Sequence, residues 1–336
     1  MRLLALSAGL LLLAASCMDA PVGVAPQEPL VCDFVTVWEH FEENYPELTV
    51  KEIDWENLYG EYLPAAEQAE SAQELMTEAV LPMLARLEDV HVWLYPPEGG
   101  RLWTYEPDIE PNYRLSYLCS NYLTPNGFTG WYRGVGYCPP ESLPYLSIKT
   151  WIPNLNIEKV DEFVGLCQDE PAIIIDVRMN GGGNNLFCDD VAGRFADTTS
   201  AAWLVRSRTG PDYDDCSHQA TYNMPRGPLQ YDGTVILLIG EYCASSTEDF
   251  VLRMSQLPDV VLLGDTTMGA VCCPYFVDLP NGWTFTAITW SLRTVSEEPV
   301  EWYGIAPDLY VDAPEELLDQ GVDPVLEYAM DMLEDY

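Results

Sequence analysis

The sequence predicts an α/β fold, a mostly parallel sheet flanked by helices and preceded by a small helical region. Three observations carry this expectation. AIIIDVR, TVILLIG and DVVLLG are short, nearly continuous β-branched runs of the kind that form strands buried on both faces. From PYLSIKTW onward such runs alternate with helical segments, IEKVDEFVGLC, NNLFCDDVAGRFA and STEDFVLRMSQL, which is the order of helices packed on a parallel sheet. Upstream, Val31, Phe34, Val35, Trp38, Phe41 and Tyr45 recur at three and four residues, the period of an amphipathic helix.

Taken in order, MRLLALSAGLLLLAASC begins with Arg2, continues as an apolar run from Leu3 to Ala15 and ends on small residues before Cys17, the layout of an export signal. The run is too short for a permanent span. LLAASC resembles a bacterial lipobox, with Ala14 where Leu is commonest, so residues 1–16 are expected to be a signal peptide and Cys17 a lipidated residue. The Pro-rich, aperiodic stretch up to residue 29 reads as a tether. The folded part is then expected outside the cytoplasm, as a cell-envelope lipoprotein facing the periplasm or the cell surface, or else secreted.

Residues 30–95 read as a helical domain. DWENLYGEYLPAAEQ is its second helix, and SAQELMTEAVLPMLARLED its third, with Ser71 and Glu74 spaced as a capping box. VHVWLYPPEGG follows as a short strand and turn. Residues 96–144 are rich in Pro, Gly and aromatics, with YRLSYL as a strand candidate, and form an irregular connection. Residues 145–336 form the α/β core, closed by an acidic helix over PEELLDQGVDPVLEYAMDMLEDY.

The 336 residues carry 54 acidic and 15 basic side chains, a formal charge of -39. Such a field repels nucleic acid and anionic lipid, so membrane contact is expected only through the lipid anchor. Nine cysteines follow Cys17, and in an exported chain they predict disulfides, with Cys119–Cys138 and Cys188–Cys216 as local pairs. The absence of a CxxC pair and the scatter of His40, His91 and His218 argue against a metal site, and no cofactor is expected.

Three features of the core invite chemistry. In DVRMNGGGNN a buried strand empties into Gly181, Gly182 and Gly183, whose N–H groups are free to face an anion; a tight structural turn would use the same residues. In EYCASSTEDF, Ser245 and Ser246 sit where a strand meets a helix N-terminus, the placing of a nucleophile and also of a common N-cap. In LEDVHVWL, His91 stands between a helix and a strand, as a base or as an ordinary packed histidine.

Together these stretches resemble one family. DVRMNGGG is similar to a D-x-R-x-N-x-G-G box, CASSTEDF to T-A-S-A-A-E-D-F, LLGDTTMGA to G-E-x-T-x-G, EWYGIAPDLYV to E-N-x-G-V-x-P-D, and LEDVHVWL to L-x-D-G-H. These are boxes of the serine peptidase family that holds the tail-specific (C-terminal-processing) proteases, the tricorn core protease and the interphotoreceptor retinoid-binding protein. The resemblance spans residues 30–312. It implies a crotonase-like or Clp-protease-like core of β-β-α units and, because 96–144 is short, no full peptide-binding PDZ domain.

The resemblance also distributes roles. Counting back from Glu248 assigns the nucleophile to Ser245, and the backbone N–H of Ser246 with that of Gly182 or Gly183 to the oxyanion hole. Tail-specific members take their base from a lysine after the Gly of G-K-G, where this chain has Ala270. The tricorn-like branch implies His91 as general base, supported by Glu301, with Val90 standing where that branch has a serine. Asp176, Arg178, Asn180, Glu248, Asp89 and Asp308 match box positions and read as supporting residues that tie turns together. A disulfide from Cys243 to Cys272 or Cys273 would staple the nucleophile turn. The implied activity is an exported serine endopeptidase acting on unfolded or short polypeptides, without a cofactor. The alternative is a non-catalytic protein that holds an apolar ligand or peptide on the same fold.

Overall fold

A computed structural model describes residues 29–336. The expected signal peptide, the lipidated Cys17 and nearly all of the tether lie outside the described residues. Helices α1 (Pro29–Asn44) and α2 (Trp55–Gln68) lead into a third helical stretch made of α3 (Ala72–Leu75), a wide π turn (Met76–Val80) and α4 (Leu81–Ala85). Asp54 caps α2 by accepting from Asn57 N–H, and Ser71 caps α3 by accepting from Glu74 N–H. The expected capping box is half formed, because the Glu74 carboxylate accepts from Glu70 N–H instead of reaching back to Ser71.

Strands β1 (Trp93–Tyr95) and β2 (Leu102–Trp103) form a hairpin. The YRLSYL segment is not a strand: α5 (Leu115–Tyr117) runs into a second π turn (Leu118–Leu123), and its alternating Leu115 and Tyr117 are both exposed. There follow β3 (Val135–Cys138), β4 (Tyr145–Ile148), α6 (Ile157–Leu166), β5 (Ala172–Asp176), α7 (Leu186–Ala192), β6 (Ser200–Arg208) and β7 (Cys216–Asn223). The chain continues through β8 (Thr234–Ile239), α8 (Ser246–Ser255), β9 (Val260–Gly264), β10 (Pro274–Asp278), β11 (Thr284–Ile288), β12 (Trp290–Arg293) and β13 (Leu309–Tyr310). The closing helix is two helices, α9 (Glu315–Asp319) and α10 (Pro324–Leu333). Gly321 at φ 84° breaks the run between them, and Asp323 caps α10 through Leu326 N–H, with Pro324 in its first turn.

The main sheet has the order β13-β9-β8-β5-β4-β3, parallel except for β3. Its β-branched strands alternate between two cores. Ile173, Ile175, Val235 and Leu237 pack against Phe163, Val191 and Phe250 of α6, α7 and α8. Ile174, Ile236 and Leu238 pack against Val325, Leu326 and Ala329 of α10. The N-terminal helices cover a second sheet, β10-β11-β1-β2, with Phe34, Phe41 and Val80 on Leu94 and Phe285. Burying each such side chain contributes about 1.5–3 kcal/mol. The result is a mixed α/β fold with an N-terminal helical region and a β-sheet core. Among the described residues no helix is long and apolar enough to cross a membrane.

The topology places the chemistry. Strands β5 and β8 are parallel neighbours, with Asp176 opposite Leu238, so the glycine run after β5 and the serine turn after β8 emerge side by side at the carboxyl ends of the strands. Pairing of β1 with β11 brings the chain around His91 to the segment that follows the serine turn.

The expected disulfides are absent. Cys119, Cys138, Cys167, Cys188, Cys216, Cys243, Cys272 and Cys273 are free thiols, five of them buried. The buried ones behave as small core residues, and the thiols of Cys138, Cys188 and Cys243 turn to backbone carbonyls. Cys188 donates to Ser246 O and Cys243 to Val177 O at 3.3 Å, so neither faces the partner expected for it.

Candidate active site

The serine turn is held by its own backbone. Ser245 adopts φ 57° and ψ −123°, a conformation that costs a non-glycine residue about 1–3 kcal/mol. Its N–H donates to Ala270 O at 2.8 Å and to Glu248 Oε2 at 3.2 Å. The same buried carboxylate accepts from Thr267 Oγ1, Gly269 N–H and Ala270 N–H at 2.6, 2.7 and 2.8 Å. Burial pushes the Glu248 carboxyl up to about 7, and the hydrogen bonds from Thr267, Ala270 and Gly269 pull the other way. Glu248 thus fastens the serine turn to the segment at 267–270.

The glycine run closes over the serine. A Cβ on Gly182, at φ 107°, would lie 2.8 Å from Ser245 Cβ, and one on Gly183, at φ 139°, would lie 2.0 Å from Trp151 O. Only glycine fits either position. The structure separates the two expected oxyanion donors. Gly182 N–H is spent on Asn180 Oδ1 at 3.0 Å. Gly183 lines the cavity in front of Ser245, and its bridge to Trp151 uses the Gly182 carbonyl and Asn184 N–H, not its own N–H. Ser246 opens α8 beside it, its hydroxyl donating to Gly183 O at 2.8 Å.

Asn180 also donates to Ile148 O, and its carbonyl accepts from Thr247 Oγ1, tying the glycine run to α8. Asp176 and Arg178 stand deeper. Arg178 spans Asp176 and Asp323 with five charge-assisted contacts of 2.8–3.2 Å, joining the end of β5 to the cap of α10. Asp308 accepts from Leu262 N–H between β13 and β9. These three tie the fold and do not touch the cavity.

Ser245 and His91 line one cavity of about 850 Å³. Its other walls are largely apolar and aromatic, with Trp93, Trp103, Tyr105, Trp203, Trp290 and Leu292 among them. His91 is buried, and its backbone is pinned on both sides, its N–H by Asp89 Oδ1 at 2.8 Å and its carbonyl by Thr286 Oγ1 at 2.7 Å. Its Nδ1 lies 3.8 Å from Asp89 Oδ1 and makes no hydrogen bond among the described residues. Burial, helped by the charge of Lys51 and opposed by Asp89, holds the imidazole below its ordinary value and therefore neutral at pH 7.

Glu301 does not touch His91. Its Oε1 accepts from Lys51 Nζ at 2.8 Å and its Oε2 from Val271 N–H at 2.9 Å. The carboxylate facing the imidazole is Asp89, whose Oδ2 accepts from Tyr45 OH at 2.9 Å. Asp89, Glu301 and Cys272 bring their polar atoms within 4.8 Å of one another, and the ammonium of Lys51 is the cation of this cluster. From sequence Asp89 reads only as a residue that ties turns, and Lys51 and Tyr45 carry no expected role in the site. One signal bears on Lys51: it is one of three lysines in an acidic chain, set among Leu48, Val50, Ile53 and Trp55.

The sequence profile of peptidase family S41 matches residues 143–311, and that of the tricorn protease C1 domain matches residues 32–77. The chain is 27% identical over 187 residues to the tricorn protease of Thermoplasma volcanium, a match that covers 54% of this chain and 17% of that protein. The chain thus spans about a sixth of the length of the curated relatives it matches. Among solved structures, a candidate peptidase from Parabacteroides merdae superposes with a TM-score of 0.81 at 25% identity, covering 91% of this chain and 97% of that one. The photosystem II D1 C-terminal processing protease shares the fold, with a TM-score of 0.56 at 13% identity over 88% of this chain and 97% of that one.

Proposed function

The chain belongs to peptidase family S41, and on that premise we propose that it is a serine endopeptidase that cuts unfolded or short polypeptides. The observation that carries this reading is a serine in a strained strand-to-helix turn, at φ 57°, facing the same cavity as a buried neutral histidine. In this reading Ser245 Oγ attacks the substrate carbonyl while His91 Nε2 takes the hydroxyl proton. Asp89, on the Nδ1 side, fixes the tautomer and stabilises the imidazolium that forms. The N–H groups of Ser246 and Gly183 face the developing oxyanion, where the N-terminus of α8 adds a favourable dipole. His91 then returns the proton to the leaving amine, and water repeats the cycle on the acyl-enzyme. The aromatic walls favour a bulky apolar side chain beside the cut bond.

The reading extends to organisation and place. Residues 30–95 serve as a helical domain that delivers the base, 96–144 as a connection without a full PDZ domain, and 145–336 as a catalytic core of crotonase-like type; the repeated strand, turn and helix units around β4 to β9 support that finer description. An export signal and lipid-anchored Cys17 place the enzyme at a bacterial cell envelope, supported by the lipobox-like LLAASC alone.

The test is active-site labelling with a fluorophosphonate, alongside hydrolysis of casein and short peptides. The expected result is one labelled site, lost in Ser245→Ala, and cleavage lost with it. Labelling that persists in Ser245→Ala would remove the nucleophile. Tight binding of apolar peptides with neither labelling nor cleavage would favour the non-catalytic binding protein instead.

A further inference from the structure

Lys51 is 7% exposed, far from Ser245 in sequence, and makes contacts of two kinds. Its ammonium donates to the carbonyls of Leu87 and Glu88 at 2.9 and 3.2 Å, immediately before Asp89 and His91. It also donates to Glu301 Oε1 at 2.8 Å. Glu301 Oε2 accepts from Val271 N–H, and the neighbouring Ala270 carbonyl accepts from Ser245 N–H. A continuous run of polar contacts therefore leads from the loop of the base to the backbone of the nucleophile. The geometry points to Lys51 as a positioning residue for the reaction: it locks the His91 loop to the Ser245 segment and balances the carboxylates behind the base.

Two carboxylates, Asp89 and Glu301, have oxygens within 4.8 Å of each other and of Cys272 Sγ in a buried site. They cannot both stay ionised there without a cation between the elements that carry them. Lys51 supplies it. Burial works against its charge, but Glu301 and Asp89 outweigh burial and hold the ammonium above its ordinary value. The remaining neighbours leave this balance alone. Tyr45 and Cys272 are pushed up by burial and stay neutral, and Glu47 is paired with Arg293 and Arg206. Burial raises the Glu301 carboxyl and Asp89 adds to this, while the Lys51 ammonium at 2.8 Å and the Val271 N–H pull it back. With the Lys51–Glu301 pair charged and Asp89 ionised, His91 sees one net negative charge. Glu301→Gln would leave none, and the double change Lys51→Met with Glu301→Gln would restore one.

This role rests on the Ser245–His91 reading, and one experiment separates the two. The rate of fluorophosphonate labelling at Ser245 is measured from pH 5 to 9 on the full chain, for the wild type, E301Q and K51M/E301Q, with folding checked by circular dichroism. The rising limb reports loss of the His91 proton. In E301Q the uncompensated ammonium should move that limb down by about one pH unit. In the double variant the limb should return to the wild-type position, while the plateau rate falls about tenfold or more because the lock is gone. The double variant replaces an ion pair by neutral groups of similar size, a change buried sites often tolerate. A limb that does not fall in E301Q, or stays low in the double variant, or a double-variant plateau equal to the wild type, overturns the role of Lys51. Wild-type labelling away from Ser245, or without a His91-dependent limb, would instead overturn the reading of the site itself.

Discussion

The serine turn and the histidine loop face the same cavity but are built in opposite ways. Everything that shapes the serine turn comes from nearby elements of the core: the end of β8, the first turn of α8, the 267–270 segment and the glycine run of the adjacent strand. The histidine loop is assembled from far apart, with Tyr45 and Lys51 from the connection between α1 and α2, Thr286 from β11 and Glu301 from the segment after β12. The shape of the serine turn is thus fixed by backbone sterics, and the surroundings of the histidine by long-range contacts. Changes at the two places should fail differently, in geometry at the first and in proton transfer at the second.

The sharpest division is expected from Asp89→Asn. Asparagine can still accept from His91 N–H and keep the loop, but it loses the charge that supports the imidazolium. Peptide hydrolysis should fall about 10³-fold in kcat, about 4 kcal/mol, with KM and melting temperature nearly unchanged. An equal loss in KM would place Asp89 on the geometric side instead. Glu248→Ala should do the reverse. Thr267, Gly269 and Ala270 would each lose a buried acceptor, and unfolding in urea should show a loss of about 3 kcal/mol or more, with activity falling as the turn relaxes. Gly182→Ala is the smallest and most local change. Its Cβ would press on Ser245 Cβ, and at φ 107° the strain costs about 1–3 kcal/mol, so labelling should slow by about 10–100-fold without moving the pH limb. A displaced limb in that variant would break the separation between the two regions.

What could be read from sequence follows the same line. Strands β5, β8 and β9 and the helices between them were legible because apolar runs, caps and glycine turns are local signals, whereas the choice of Ser245 over Ser246 rests on the family resemblance. Strands β6, β7 and β10 to β12 were not, since they lack the β-branched runs of the central strands, and β7 and β10 are largely exposed. His91 was found through its box, but the carboxylate beside it was assigned to Glu301 where the structure places Asp89. Periodicity carries no information about which of two buried carboxylates a distant lysine will claim. The cysteine count misled for a related reason, because number and compartment suggest pairing but carry no information about where the fold puts each thiol.

The central claim is that the two regions meet as one proton-transfer pair. The most direct measurement is the second-order rate constant for fluorophosphonate labelling of Ser245 in the wild type and in His91→Ala, each across pH 5 to 9. The expected result is a wild-type limb below pH 6.5, the side to which burial moves the imidazole, and a loss of about 10²-fold or more with no limb in His91→Ala. Equal rates in the two proteins at every pH would contradict it.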